Sequence, residues 1–111
     1  MVDLTFLRQF TKDDAKKMKR YISLYLDVAP KTFDEMRLKL QEKDWEQLRI
    51  NAHSLKPQAD FMGIKSLKEE LIKIEEAVQK NNFDVVEDLF NASLRISNES
   101  EQILRAELDQ L

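Results

Sequence analysis

The chain has 111 residues, one histidine, His53, and no cysteine. These counts decide much of its chemistry. Without cysteine there is no thiol nucleophile, thiolate metal site or disulfide, which is compatible with a reducing compartment. A multi-histidine metal centre is excluded, so any imidazole chemistry runs through His53. At helical spacing its companions are Glu46, Arg49, Lys56, Pro57 and Asp60, a polar and mostly charged set. An imidazole has an ordinary pKa of about 6.5, so near neutral pH it offers a free lone pair as a nucleophile without an activating base. A surface histidine is common and usually does nothing chemical, so the elements that position it carry weight.

Only 1 Gly and 2 Pro occur. Strand-rich folds with many tight turns and glycine-cradled phosphate loops lack the residues they need, and helices remain. Asp3 is read as the cap of a short helix reaching about Phe10, and Thr11, followed by Asp13 and Asp14, as a second start signal. The helix from there to about Val28 has a stripe of Ala15, Met18, Ile22, Tyr25 and Leu26. Pro30 is read as the first turn of another helix, with Phe33, Met36 and Leu40 on one face up to a polar joint at 41–43.

Asp44 is the expected N-cap of the helix that holds His53, with Trp45, Leu48, Ala52, Leu55, Ala59 and Met62 as its apolar stripe and Gly63 as its end or bend. Leu67, Leu71, Ile74 and Val78 mark the following helix, closing at Asn81 and Asn82. From Phe83 a last helix carries Val86, Leu89, Phe90, Leu94, Ile103, Leu104 and Leu108. Asn91, Ser93, Ser97, Asn98 and Ser100 weaken its middle, where a kink or fraying would fall. The predicted fold is all-α, an up-and-down antiparallel four-helix bundle with one or two shorter N-terminal helices, forming one domain over 1–111.

The formal charge is -3, from 18 basic and 21 acidic side chains spread along the chain. That leaves no basic stripe for nucleic acid or an anionic membrane, and neither is expected as a partner. No apolar run approaches the roughly 20 residues of a membrane span, and MVDLTFLRQF has no basic segment before a long apolar one. A soluble, cytoplasmic, monomeric protein is expected.

On the helical wheel His53 lies away from the stripe of Trp45, Leu48, Leu55 and Met62, so its ring is predicted to be exposed. The string His53-Ser54-Leu55-Lys56-Pro57-Gln58-Ala59-Asp60-Phe61-Met62-Gly63 within a bundle of this size resembles the histidine-containing phosphotransfer (HPt) domains of bacterial phosphorelays. Those domains have a phospho-accepting histidine, an aliphatic residue two places on, a lysine at three, a small residue at four and a glycine at ten. Here His53, Leu55, Lys56 and Gly63 match. Pro57 departs from the usual glycine and is expected to bend the helix, because it has no N–H to give to the His53 carbonyl.

The resemblance implies a phosphocarrier. His53 would accept a phosphoryl group from an aspartyl phosphate on a response-regulator receiver domain and pass it to another receiver, in a relay fed by a hybrid histidine kinase. It implies no cofactor of the chain's own and no independent catalytic turnover, with Mg2+ held on the receiver. Lys56 would lie within reach of the phosphoryl group. As a solvated side chain, it is expected to be removable at a cost within about 0.5 kcal/mol. Glu75, 22 residues after His53, stands where the family often has an imidazole-bonded glutamine or glutamate. It is either that partner or an ordinary surface carboxylate. Ile50 and Phe61, about 60 and 80 degrees round the wheel from His53, are candidate docking residues, with Phe61 also suited to burial. Arg49, Pro57, Asp60 and Gly63 complete the expected binding surface. The competing reading is a helical protein-binding module of the same fold that never carries phosphate. A kinase fragment lacks a nucleotide-binding stretch, and a di-metal bundle wants paired Glu-x-x-His motifs, whereas residue 50 is Ile.

Overall fold

The computed structural model describes Met1–Leu111. Five α-helices make up the chain: α1 (Thr5–Thr11), α2 (Ala15–Glu42), α3 (Trp45–Phe61), α4 (Lys65–Gln79) and α5 (Val86–Gln110), with a short 3-10 turn at Phe83–Val85. The fold is an all-α bundle of four long helices with one short N-terminal helix. Its longest dimension is 44 Å, and α2 alone, at about 1.5 Å per residue, spans nearly all of it.

The two helices predicted on either side of Pro30 are one helix, with Pro30 inside it. An interior proline costs ~3 kcal/mol or more. Across it, however, the buried stripe Met18, Ile22, Tyr25, Leu26, Ala29, Phe33 and Met36 keeps one register. Burying a Phe or Met side chain gains about 1.5–3 kcal/mol each. Phe33 and Met36 are both buried beyond the proline, so a continuous helix is the better solution. Ala15, at the start of the predicted stripe, is exposed.

Thr11 does not open α2; it closes α1. Its side chain is buried and donates to the Leu7 carbonyl at 2.8 Å, and Lys12 and Asp13 turn the chain through positive φ of 53° and 58°. Asp14 takes the capping role, accepting from the Lys17 amide at 3.2 Å. Asp44 caps α3 as expected, accepting from the Gln47 amide at 3.2 Å.

The last helix is continuous through the stretch expected to kink. Ser93, Ser97 and Ser100 face the interior. Ser93 and Ser100 hydroxyls donate to the carbonyls of Leu89 and Ile96 at 2.9 and 2.7 Å, so their polarity is met within the helix. Ser97 Oγ and Tyr25 Oη are buried without meeting hydrogen-bond geometry. Desolvation pushes the Tyr25 phenol up to about 12, against the opposing effect of the Ser97 hydroxyl.

One core of 23 buried apolar residues runs through α1 to α5. Where α3 ends, Gly63 adopts a left-handed φ of 68°. Its carbonyl accepts from the Asp3 amide at 3.0 Å, and a Cβ there would lie 1.7 Å from the Asp3 carbonyl oxygen. The Asp3 side chain in turn accepts from the Thr5 amide at 3.0 Å, which opens α1. Glycine at 63 is thus what lets the N-terminal segment close against the end of α3. Gly63→Ala is expected to lower the unfolding free energy by about 2 kcal/mol or more, measured by guanidinium denaturation. A loss under about 0.5 kcal/mol would mean that this close approach is not held in solution.

Candidate functional site

Helix α3 packs between α2 and α4, and its stripe of Leu48, Ala52, Leu55 and Ala59 is buried. The opposite side faces solvent and carries His53, whose side chain is 65% exposed. One ring nitrogen is engaged across the helix seam. Nδ1 lies 2.9 Å from Oε2 of Glu75 on α4. The α4 stripe of Leu67, Leu71, Ile74 and Val78 points into the core. Glu75, next to Ile74, therefore falls in the seam between α4 and α3, with its side chain only 10% exposed.

A carboxylate in such a place needs partners, and it has two. Lys56, one turn after His53 on α3, brings Nζ to 2.6 Å from Oε1 in an ion pair set off the hydrogen-bond axis. His53 takes the other oxygen. Desolvation pushes the Glu75 pKa up, but the Lys56 and His53 contacts together outweigh it, and the carboxyl is held below its ordinary value. Glu75 is therefore ionised near neutral pH and can only accept. Nδ1 must then carry the proton, which leaves Nε2 as the nitrogen with the lone pair. The set can orient an imidazole in one tautomer and present its far nitrogen to a reactant.

The other residues singled out in the sequence sit at different places. Arg49 is engaged by Glu46 at 2.6 Å; that contact holds the Arg49 pKa up and the Glu46 pKa down. Ile50 is exposed. Pro57 is exposed and lines an apolar groove of about 430 Å3 with Tyr21, Leu24, Val28 and Phe61. Asp60 pairs with Lys68 of α4 at 3.2 Å. Phe61 is partly buried, with ring centroids 5.4, 5.2 and 5.4 Å from those of Phe6, Phe10 and Tyr21. Gly63 is ten positions beyond His53, about 15 Å along the axis, and packs against Asp3. The structure thus gathers His53, Lys56 and Glu75 and sets Gly63 apart.

Two features were not read in the sequence. Lys56 is no free surface side chain: it folds back onto Glu75 with 25% of its side chain exposed. Phe6 and Phe10 of α1, each more than half exposed, extend the apolar surface beside Phe61. Their spacing of four on a short helix was the available signal. No group of three or more histidine, cysteine, aspartate or glutamate side chains is placed to hold a metal ion.

Compared with known proteins, the chain matches a family model, the Hpt domain, over residues 20–111. The match takes in α3, α4, α5 and α2 beyond its first residues, and leaves α1 outside it. No curated protein and no solved structure matches the chain.

The ion pair corrects the small cost expected for removing Lys56. Lys56→Ala leaves a buried carboxylate short of one partner and is expected to cost about 1–2 kcal/mol at pH 7. Because the folded-state pKa of Glu75 is lowered, the stabilisation from its ionised form is present above its ordinary value of 4.5 and is lost as pH falls through the folded value. The difference between wild type and Lys56→Ala should therefore shrink between pH 7 and acid conditions below 4.5. Denaturation at both pH values measures it, and a cost under about 0.5 kcal/mol at pH 7 would contradict the pairing.

Proposed function

The chain belongs to the Hpt domain family, and from that premise we propose that His53 is the residue that carries the phosphoryl group. Hpt domains work in two-component phosphorelays, where they transfer phosphoryl groups through a histidine and interact with response-regulator receiver domains. The observation that carries the assignment is the contact of His53 Nδ1 with the Glu75 carboxylate at 2.9 Å on a ring that is otherwise exposed. A surface used only for binding has no need of a buried anion that fixes one imidazole tautomer, so the geometry favours a carrier over a phosphate-free binding module.

In this reading a receiver holding an aspartyl phosphate docks over α3. Nε2 of His53 attacks phosphorus in line, the P–O bond to the aspartate breaks, and the carboxylate leaves with the electron pair. The reverse sequence at a second receiver completes the relay, which a hybrid histidine kinase feeds. The chain contributes the nucleophile, its orientation by Glu75 and a nearby cation, Lys56. Mg2+ and most of the stabilisation of the transferring group are the receiver's. The domain acts as a cytoplasmic phosphocarrier without turnover of its own.

The surface suits such a visitor. On the α2 side of His53 the apolar groove with Pro57 and Phe61 can exclude water. Ile50 is exposed on α3. On the α4 side, Arg49 and Asp60 with their partners Glu46 and Lys68 form a charged rim. Pro57, though not the family's usual glycine, has a compact side chain that allows close approach.

The experiment is transfer of label from a phosphorylated receiver domain. The protein is expected to acquire acid-labile, base-stable phosphate, and His53→Gln to acquire none while keeping its helical spectrum and its binding to the receiver. Wild-type protein that binds receivers and takes up no label would overturn the carrier reading in favour of the binding module.

A further inference from the structure

We propose that the charge of Glu75 keeps the proton on His53 Nδ1 while the phosphoryl group is attached, and so keeps the phosphohistidine able to give that group up. The inference rests on the carrier reading above and concerns what happens at the same ring after transfer.

The electron count makes the proton decisive. In the resting state Nδ1 carries the proton and Nε2 the lone pair. When that pair forms the P–N bond, and the aspartate leaves as a carboxylate, the ring becomes a phosphoimidazolium with Nδ1–H still in place. Outward transfer breaks the P–N bond, returns the pair to Nε2 and forms a P–O bond on the next aspartate, releasing a neutral imidazole. No proton has to move in either direction. If Nδ1 loses its proton in between, the leaving group becomes an imidazolate, which is far more basic, and the phosphoryl group is retained. A neighbouring anion opposes that loss, typically by one to three pKa units for a contact of this kind.

The surroundings of the ring concentrate this effect on Glu75. From α4 its carboxylate, nearly buried, reaches the imidazole at 2.9 Å. On α3, Arg49 pairs with Glu46 and also feels the charge of Glu75, and Asp60 pairs with Lys68 of α4. The α2 side lines the adjoining groove with Tyr21, Leu24, Tyr25 and Val28, none of them a charged side chain. Lys56 acts in the opposite sense, since its ammonium sits 2.6 Å from the other carboxylate oxygen and draws on the same negative charge. Glu75 thus holds the proton and Lys56 limits how tightly.

Because His53 is the one histidine, its nitrogens can be followed without ambiguity. Protein with 15N-labelled histidine is phosphorylated with phosphoramidate, a small donor that needs no docking, and the titration of Nδ1 is followed from acid to alkaline pH. Glu75→Gln retains an oxygen to accept from Nδ1–H and removes only the charge. The phosphorylated wild-type ring should titrate about one unit or more above that of Glu75→Gln. Lys56→Met should shift it in the other direction, above wild type, which also tests the proposal if Glu75→Gln does not fold. Outward transfer to a magnesium-loaded receiver should fall about tenfold in Glu75→Gln at pH 8.5 and little at pH 6. Equal midpoints in variants that phosphorylate normally would overturn this inference and leave the carrier reading standing. A His53 that takes phosphate from neither phosphoramidate nor a receiver would overturn both.

Discussion

A carboxylate with almost no access to water lies in the seam between α3 and α4, and the arrangement around His53 follows from how that charge is satisfied. Alone, such an anion would cost several kcal/mol. Glu75 is instead met by an ammonium on one oxygen and an imidazole on the other. The same pairing stabilises the seam and fixes the ring, so the fold and the site share one interaction. It also explains why Lys56, which from the sequence looked free to meet an incoming phosphate, turns back toward the neighbouring helix.

Around this centre the surface is divided. Toward α4 the side chains are charged and paired with one another; toward α2 they are apolar and open onto a groove. Helix α1 enlarges the apolar side. It is held at the end of α3 by the Asp3–Gly63 contact and by the edge-on rings of Phe6 and Phe10 against Phe61. A partner that approaches His53 therefore meets a dry shelf on one side and fixed charges on the other, which specifies an orientation as well as a place.

Much of this was legible in local signals. Asp44 and Gly63 mark the ends of α3, and Asn81, which adopts a left-handed φ of 56°, the end of α4; Asp44 acts through its side-chain cap and the other two through their own backbone conformation, and each could be read from residue type. The break predicted at Pro30 was wrong because the proline's local effect outweighed, in the sequence, the register that Phe33 and Met36 beyond it share with Ile22, Leu26 and Ala29 before it, which only packing against other helices reveals. The serines of α5 misled in the same way: as exposed residues they would loosen the helix, but all three are turned inward and Ser93 and Ser100 bond to its carbonyls. For the site, the wheel put His53 in solvent because a short side chain follows its backbone. It could not place the end of Lys56, whose long stem reaches in several directions. Glu75 is 22 positions away on another helix; nothing in spacing joins it to His53, and only the family resemblance suggested the pair.

The central claim is that an ionised Glu75 holds His53 in the tautomer with its proton on Nδ1. A long-range 1H–15N correlation spectrum of the unphosphorylated protein at pH 8 reads this directly from its single imidazole. The account predicts a protonated, pyrrole-type shift for Nδ1 and an unprotonated, pyridine-type shift for Nε2. The opposite pattern, or the averaged shifts of a ring exchanging freely between tautomers, would contradict it.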